Sequence, residues 1–385
     1  MKAKIRFHLF FLFFTTLVFA QMQNPKNIPF EWKTDITKHS VDLSEIQIVL
    51  PKGSFPTLDF PKFVGKEAGL SMFFAKEPVI AIEIDGKAKA YSLNILTMHE
   101  ISNDILSGVP ILVTYCPLCN SGIVYHRKLK YQGKENIMEF EPSGMLRNSD
   151  MVMLDRNTET LWQQLMGVAI VGELDKMELD ILPSLIISVE EFFNRYPQGE
   201  ILSKQTGFAE NEKHYGTNPY KNYDNENAKP YQRFFDANKI NNRLPPMERI
   251  VDIENNGKHK VYTFSDIAKF GVINDTFKKK KVVLFYQSGT VSVLDQANIS
   301  ESKNIGTITV YNRVLDGEKL AFKRIKGVFK DKKTNSSWDI TGHCYEGKLK
   351  GKQLKIEPHS NHFAFAWLAF YPETEIYGED DTVGD

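Results

Sequence analysis

The chain has 385 residues, in which 48 lysines and arginines balance 48 aspartates and glutamates. Its 42% hydrophobic residues, 24 glycines, 17 prolines and 3 cysteines are ordinary for a globular protein, which excludes a disordered chain, a collagen and a disulfide-dense miniprotein. The zero net charge provides no general attraction to nucleic acid or to an anionic membrane, so we expect no nucleic-acid partner.

The N-terminus predicts a secretory signal peptide over residues 1–20. Lys2, Lys4 and Arg6 precede an almost entirely apolar run at residues 7–20, which is shorter than the roughly 20 residues that cross a bilayer. We expect cleavage after Ala20, a secreted or periplasmic location and no transmembrane segment after signal cleavage. Residues 21–70 are expected to wrap the first folded unit.

An internal repeat organises the remaining sequence. Several blocks align in the same order, which favours an internal duplication, with two tandem copies of one unit. The aligned blocks are residues 77–115 with 248–286, 155–162 with 331–338, and 167–197 with 342–372. We predict repeat 1 over residues 71–207, a degenerate repeat 2 over residues 247–377, and an acidic tail over residues 378–385.

Each copy predicts a β-rich α+β unit of mixed strands and a short helix. Asp85-Gly86 and Asn256-Gly257 predict two-residue hairpin turns, because these residues tolerate positive φ. The spacing of apolar side chains predicts a helix over residues 93–105, and the apolar run at residues 111–115 predicts a buried strand. Trp162 and Trp338 are predicted core aromatics, each following an Asp-x-x-Thr turn.

A connector between the copies, residues 208–246, is rich in Asn, Lys, Tyr and Pro. A free linker would be rich in Gly, Ser and Pro without aromatic residues. The tyrosines therefore indicate that the connector lies against a domain surface.

Polar features found in one copy alone are the candidates for chemistry. His99-Glu100 aligns with Phe270-Gly271, and Cys116-Pro-Leu-Cys119 aligns with Gln287-Ser-Gly-Thr290. The polar segment at residues 143–150 has little counterpart in the second copy. Repeat 1 is therefore the predicted active copy.

The Cys116-x-x-Cys119 pair permits three interpretations. In thioredoxin-like proteins such a pair opens a helix, but here the residues after Cys119 predict a turn into another strand. A strand, a Cys-x-x-Cys turn and a second strand resemble the knuckle of rubredoxin-like and zinc-ribbon sites, which needs further ligands for Zn, Cu or Fe. The third interpretation is a structural disulfide between the two cysteines, with Cys344 free.

The predicted metal site combines Cys116 and Cys119 with His99. An all-cysteine site is excluded, because Cys344 is the only other cysteine. The further candidate ligands are His126, His343, Cys344, His359 and His362. His99 lies in the predicted helix and could equally be a hydrogen-bonded core histidine. Asn103 and Asp104 recur in the second copy and are expected to cap that helix.

A second group of residues predicts binding of a small anion or a carboxylate-bearing ligand. It consists of Glu100, Ser143, Arg147, Asn148, Ser149 and Asp150. A network of surface turns is the alternative explanation for most of these residues.

Several of these motifs together resemble the bacterial family catalogued as domain of unknown function 3179. They are residues 99–104, 109–119, 143–150, 155–164 and 363–372. The resemblance covers residues 41–377. It implies an exported bacterial protein and no particular activity.

We therefore hypothesise a secreted or periplasmic protein with a Zn, Cu or Fe site in repeat 1. One alternative is a thiol-disulfide oxidoreductase with Cys116 as nucleophile, which requires a lowered pKa of that thiol. The other is a non-catalytic binding module in which Cys116 and Cys119 form a structural disulfide. The expected partner is a small molecule or an envelope protein, and the sequence leaves open whether the chain is an enzyme.

Overall fold

The computed structural model of the protein describes residues 33–225 and 227–379. The predicted signal peptide, its cleavage position, residues 21–32 of the wrap and residues 380–385 of the tail lie outside the described residues. The fold is β-rich with several sheets, as the sequence predicts. In the part of the chain that the structure describes, no helix is long and apolar enough to cross a membrane.

We define the first half as residues 71–207. Together with the N-terminal segment before it, it contains most of the strands. The segment comprises β1 (Ile46–Ile48), β2 (Leu58–Asp59), β3 (Phe63–Val64) and α1 (Lys66–Met72). The first half comprises β4 (Pro78–Ile84), β5 (Lys87–Ser92), α2 (Leu93–His99), β6 (Ile101–Leu106), β7 (Val109–Cys116), β8 (Ser121–His126), β9 (Lys128–Tyr131), β10 (Lys134–Ile137), β11 (Phe140–Arg147), β12 (Asp150–Asp155), β13 (Leu161–Gln163), β14 (Val168–Val171), β15 (Leu185–Ser188), α3 (Val189–Arg195) and β16 (Glu200–Leu202).

The described part of the connector carries one short α-helix, and the second half, residues 247–377, carries the remaining α-helices and strands. The connector helix is α4 (Ala209–Glu212). The second half comprises β17 (Arg249–Asn255), β18 (Lys258–Thr263), α5 (Phe264–Phe270), β19 (Val272–Phe277), β20 (Lys280–Gln287), β21 (Thr307–Asn312), β22 (Val314–Leu315), β23 (Glu318–Lys319), β24 (Phe322–Ile325), β25 (Val328–Asp331), β26 (Ser337–Trp338), β27 (Cys344–Glu346), β28 (Asn361–Phe363), α6 (Ala364–Phe370) and β29 (Glu375–Ile376).

The sheets of the two halves follow the same order. The sheet β15-β4-β5-β16-β3 matches β28-β17-β18-β29, and the sheet β11-β12-β13-β14 matches β24-β25-β26-β27. Strands β6, β7 and β8 pair in sequence as β19, β20 and β21 do. In each half one strand joins the first hairpin in parallel, β16 beside β5 and β29 beside β18.

The N-terminal segment adds strands to three sheets of the first half. Strand β1 pairs antiparallel with β11, β2 pairs parallel with β6, and β3 pairs antiparallel with β16. This segment therefore contacts the first half along its sheet edges.

The hairpin turns and the buried strand predicted from local sequence are present. Asp85 and Gly86 have φ of 51° and 78°, and Asn256 and Gly257 have φ of 52° and 71°, so both pairs form the tight hairpins expected from their sequence. Strand β7 covers the predicted buried strand at residues 111–115.

The predicted helix over residues 93–105 is correct only in its first part. Helix α2 ends at His99, Glu100 has φ of 60°, and the chain continues into β6. Strand β6 pairs with β7 at six successive positions, and this pairing outweighs the weak helical spacing of the local apolar residues.

Asn103 and Asp104 therefore do not cap a helix, because both lie in β6. The Asn103 amide instead donates to the Phe140 carbonyl at 2.8 Å and accepts from the Phe140 N–H at 3.0 Å. Asn274 makes the same two bonds with Phe322 in the second half. These amides tie one sheet to the next in each half.

The two predicted core tryptophans are buried and tied to the predicted turns. Trp162 Nε1 donates to Asp155 Oδ2 at 2.9 Å, and the Thr158 N–H donates to Asp155 Oδ1 at 2.6 Å. Trp338 and Asp331 are linked in the same way at 3.2 Å. The Asp-x-x-Thr turn thus orients a large aromatic side chain in each core.

Candidate functional site

Residues 116–120, which we call the knuckle, form a tight turn between β7 and β8. Cys116 is the last residue of β7 and pairs with Ser121, the first residue of β8. Asn120 has φ of 50°, a conformation that asparagine accepts more readily than most residues. The predicted strand, turn and strand are confirmed, and the helix that a thioredoxin-like site needs does not follow Cys119.

Asp150 completes a group of three buried side chains with Cys116 and Cys119. Both sulfur atoms and an Asp150 carboxylate oxygen lie within 4.8 Å of one another. The cysteines are 1% and 0% exposed and both are free. Within residues 33–225 and 227–379, this is the only group of three or more such side chains with metal-ligand spacing. We refer to it as the cysteine cluster.

The two oxygens of Asp150 have different surroundings. Oδ2 accepts from Gln163 Nε2 at 2.6 Å and from the Leu165 N–H at 2.9 Å. Oδ1 is buried without a hydrogen-bond partner of normal geometry, although the Cys119 thiol interacts with the carboxylate and favours its charged form. The two bonds to Oδ2 therefore fix the position of the side chain beside the two thiols.

Glu100 lies beside the cluster in a strained backbone conformation. Its φ of 60° is one that the aligned Gly271 adopts without a side-chain penalty, at 71°. Glu100 is buried, and this burial, reinforced by the Asp150 charge, raises the pKa of its carboxyl to about 8. The backbone strain and the buried carboxyl are therefore both found in the half that holds the cysteines.

A cavity of ≈160 Å³ adjoins the cluster. Glu100, Leu118 of the knuckle and Met151, next to Asp150, line one side of it. The remaining wall is mostly apolar and comes from the N-terminal segment, from β11 and from the connector: Val49, Leu50, Phe55, Gly144, Met145, Leu146, Tyr220, Tyr231, Arg233 and Phe234. The cavity is therefore small and largely apolar on the side facing away from the cluster.

Burial makes the charged forms of the cluster unfavourable. It raises the pKa of the Cys116 and Cys119 thiols and raises that of Asp150 to about 7. No lysine or arginine of the described residues forms an ion pair with Asp150 or Glu100. A divalent cation would supply the missing positive charge and favour the ionised ligands.

The connector and the second half cover the knuckle. The Tyr223 hydroxyl donates to the Leu118 carbonyl at 3.0 Å, and the Ser149 N–H donates to the Phe234 carbonyl at 3.0 Å. The Phe363 N–H of the second half donates to the Cys119 carbonyl at 2.8 Å. The site is thus closed by residues far away in the sequence.

His99, the predicted third ligand, is not part of the cluster. Its Nδ1 lies 2.6 Å from the Pro56 carbonyl oxygen, and its Nε2 accepts from the Tyr215 hydroxyl. Both ring nitrogens are therefore used in hydrogen bonds, which is the core-histidine alternative. The ring contacts the N-terminal segment and the connector, and Asp150 rather than His99 is the third member of the cluster.

The other candidate ligands also lie outside the cluster. His126 Nδ1 accepts from the Lys128 N–H at 3.1 Å, and His343 lies beside Asp339. Cys344 begins β27 in the second half, far along the chain from the knuckle, and its thiol contacts the Glu346 carbonyl. His359 and His362 line a cleft between the halves.

The segment at residues 143–150 lies mostly on β11 and the turn into β12. The Ser143 hydroxyl donates to the Val152 carbonyl, Arg147 pairs with Glu45, and the Asn148 amide oxygen accepts from Lys239. These bonds stay within the fold, and Ser143 is buried in β11 rather than in a surface turn. The Ser149 carbonyl lies 3.8 Å from Cys116 Sγ.

Asp150 is the member of the cluster that local sequence spacing does not indicate. Its segment predicts anion binding instead, because a distance of 34 positions from Cys116 gives no local spacing signal. The available signal was that its segment has little counterpart in the second half.

Comparison with known proteins places the chain in a family. The sequence model described as "Protein of unknown function (DUF3179)" matches residues 52–374, and the chain belongs to this family. No curated protein and no solved structure matches the chain.

Proposed function

We propose that this member of the DUF3179 family binds a transition-metal ion between Cys116, Cys119 and Asp150. The observation that supports this most is the set of three ligand atoms within 4.8 Å, in which Asp150 Oδ1 is buried without a normal partner. A buried carboxylate next to two buried thiols, with no cationic side chain of the described residues paired to it, is costly in its charged form unless a cation occupies the space.

The donor set favours zinc among the candidate ions, with iron and copper as alternatives. Two thiolates and a carboxylate suit a borderline-soft ion, and three protein ligands leave one position of a tetrahedral zinc site open. An open position is typical of catalytic rather than structural zinc sites.

Glu100 and the cavity support a role in small-molecule chemistry. A bound zinc ion would act as a Lewis acid and lower the pKa of a water molecule in the open position. Glu100 lines the adjoining cavity, and its carboxyl could hold or release a proton there, since its pKa of about 8 is close to neutral pH. The ≈160 Å³ cavity limits the reacting part of the substrate to a few non-hydrogen atoms.

A thiol-disulfide oxidoreductase is the weaker candidate. Such an enzyme needs an accessible thiol with a lowered pKa, whereas Cys116 is 1% exposed and burial raises its pKa. A structural disulfide would not explain why Asp150 Oδ1 is buried beside the cysteines or why Glu100 adopts a strained conformation.

We further infer that the two halves arose by duplication and that the first alone kept the centre. The support is the shared strand order and register: Val79 faces Ser92 in β4 and β5, as Ile250 faces Thr263 in β17 and β18. Repeat 1 at residues 71–207, the connector at 208–246 and repeat 2 at 247–377 remain our proposed divisions. Export by the predicted signal peptide belongs to the same proposal.

Elemental analysis of protein purified without chelator or affinity-tag histidines, with a thiol count under denaturing conditions, tests the metal site. We expect near-stoichiometric metal that is lost in Cys119→Ser and Asp150→Asn. His99→Ala and Cys344→Ser are the matched controls and should retain the metal. A metal-free protein with one free thiol, or loss of metal in the Cys344 variant alone, would exclude the proposed site.

A further inference from the structure

A second cavity, a cleft of ≈660 Å³, is lined by both halves of the molecule. The first half contributes Leu165 and Leu179 to its wall. The second half contributes a group of polar and aromatic side chains, which includes Asp252, His259, His362, Trp367 and Tyr371. None of these residues belongs to the cysteine cluster.

Three polar residues of the cleft occupy positions that are apolar core in the first half. Val79 of β4 faces Ile187 of β15, and Ile250 of β17 faces His362 of β28. These registers align Val79 with Ile250 and Ile187 with His362. The aligned pairs are Ala81 with Asp252, Ala88 with His259, and Ile187 with His362. The first half shows that this scaffold can pack apolar side chains at these positions. The second half buries polar side chains there instead, which costs free energy.

A carboxylate fixes the tautomer of one of these imidazoles. Asp252 Oδ1 accepts from the Ser360 N–H at 2.9 Å and lies 3.3 Å from His362 Nε2. Because a carboxylate favours a hydrogen on Nε2, Nδ1 of His362 is left as an acceptor. His362 is 0% exposed, and its Nδ1 has no hydrogen-bond partner, as is also true of His259 Nδ1.

The cleft is rich in acceptors, negative charge and aromatic surface. The Trp367 ring lies 4.8 Å from that of His362, and the Tyr371 ring lies 4.0 Å from that of His259. Glu178, Asp180 and Glu254 line the cleft together with Asp252. Of the described lysines and arginines, Lys280 alone lines it, and its ammonium is paired with Glu357 at 3.1 Å.

We propose that this cleft binds a small organic cation whose N–H groups lie on a flat, apolar body. Acceptors on His259, His362 and the carboxylates match N–H donors, and the negative lining attracts a positive charge and repels an anion. The indole and phenol rings packed against these imidazoles make the wall partly apolar, which favours a flat cation over a strongly hydrated one. This site stands independently of the proposed metal centre.

Benzamidine is the probe that tests the site, because benzamide and benzoate have nearly the same shape with zero and negative charge. Binding is followed by NMR shifts of the histidine ring protons and by indole fluorescence. We expect saturable binding of benzamidine at least about tenfold tighter than that of benzamide, and no binding of benzoate. Binding of benzoate as tight as that of benzamidine, or no saturable shift with millimolar benzamidine, would overturn the proposal.

The first half provides the variants for the second part of the test. His362→Ile and His259→Ala install the residues found at the aligned positions, so each is compatible with the scaffold. We expect both to abolish benzamidine binding, to leave the metal content unchanged, and to keep Tm or raise it by roughly 2–4 °C. His126→Ala, outside the cleft, should bind benzamidine normally. A lower Tm with undiminished benzamidine binding would show that the imidazoles are structural and would refute the proposed site.

Discussion

Glu100 stands where Gly271 stands in the other half, with nearly the same positive φ, 60° against 71°. Both residues follow a seven-residue helix, and their N–H groups bond to the carbonyl four positions earlier, Leu96 and Ile267. The backbone thus calls for glycine at this turn, and the first half holds a buried carboxyl there instead.

Replacing Glu100 with the glycine of the second half should stabilise the protein. Glu100→Gly removes the positive-φ strain and an unpaired buried carboxyl, for an expected gain of about 1–2 kcal/mol in the free energy of unfolding. Urea unfolding measures it. Glu100→Gln keeps the strained backbone and is the control, which should gain less. A loss of stability in Glu100→Gly would show that the carboxyl supports the fold.

The contribution of Glu100 and Asp150 to the stability of the metal-free protein should fall between about pH 4 and pH 8. The folded-state pKa values of Glu100 and Asp150, about 8 and about 7, lie above the usual 4.5 and 3.8, so the folded protein binds more protons than the unfolded chain in this window. Stability from these groups is complete below pH 4 and is lost as pH rises through the folded-state values.

Urea unfolding at successive pH values measures this slope, to which each group adds up to about 1.4 kcal/mol per pH unit. The double variant Glu100→Gln, Asp150→Asn should flatten it. Bound metal should reverse the trend, because ligands must lose protons to bind it. Equal slopes for the wild type and the double variant would contradict the assignment.

Removing the aspartate of either Asp-x-x-Thr turn should destabilise the protein by a similar amount. Only the change in the first half should weaken metal binding. Asp331→Ala leaves Trp338 Nε1 and the Thr334 N–H without their acceptors, which costs about 2–4 kcal/mol. Asp155→Ala should cost a similar amount. Thermal unfolding and metal content are measured for both, and metal affinity should weaken only in Asp155→Ala, since Asp155 ends β12, the strand that Asp150 begins. Metal loss in Asp331→Ala alone would be the opposite result.

Tyr223→Phe should loosen the cover over the knuckle. It removes the bond to the Leu118 carbonyl, worth about 1 kcal/mol, and should increase the rate at which a chelator removes the metal. The rate is followed with a chromogenic chelator. Tyr345→Phe, at an exposed position, serves as the control. Identical release rates in all three proteins would mean that the connector does not restrict access.

Features set by a few adjacent residues could be predicted from the sequence. The hairpins at Asp85-Gly86 and Asn256-Gly257, the turn at Asn120 and the aspartate–tryptophan pairs depend on φ preferences and on bonds spanning at most seven positions. Such interactions form wherever the local sequence allows them. The same locality made Cys116-x-x-Cys119 recognisable as one structural unit.

Features that depend on distant residues emerged only from the folded chain. Helix α2 ends at His99 because β6 pairs with β7, and the His99 ring meets Tyr215, which lies 116 positions away. Asp150 reaches the cysteines because β12 runs beside β11 and β13, and no spacing rule encodes that approach. The cleft around His362 is lined by residues that come together only when the strands of both halves have paired. Packing and sheet pairing, which act between residues far apart in the chain, determine where these chemical groups meet.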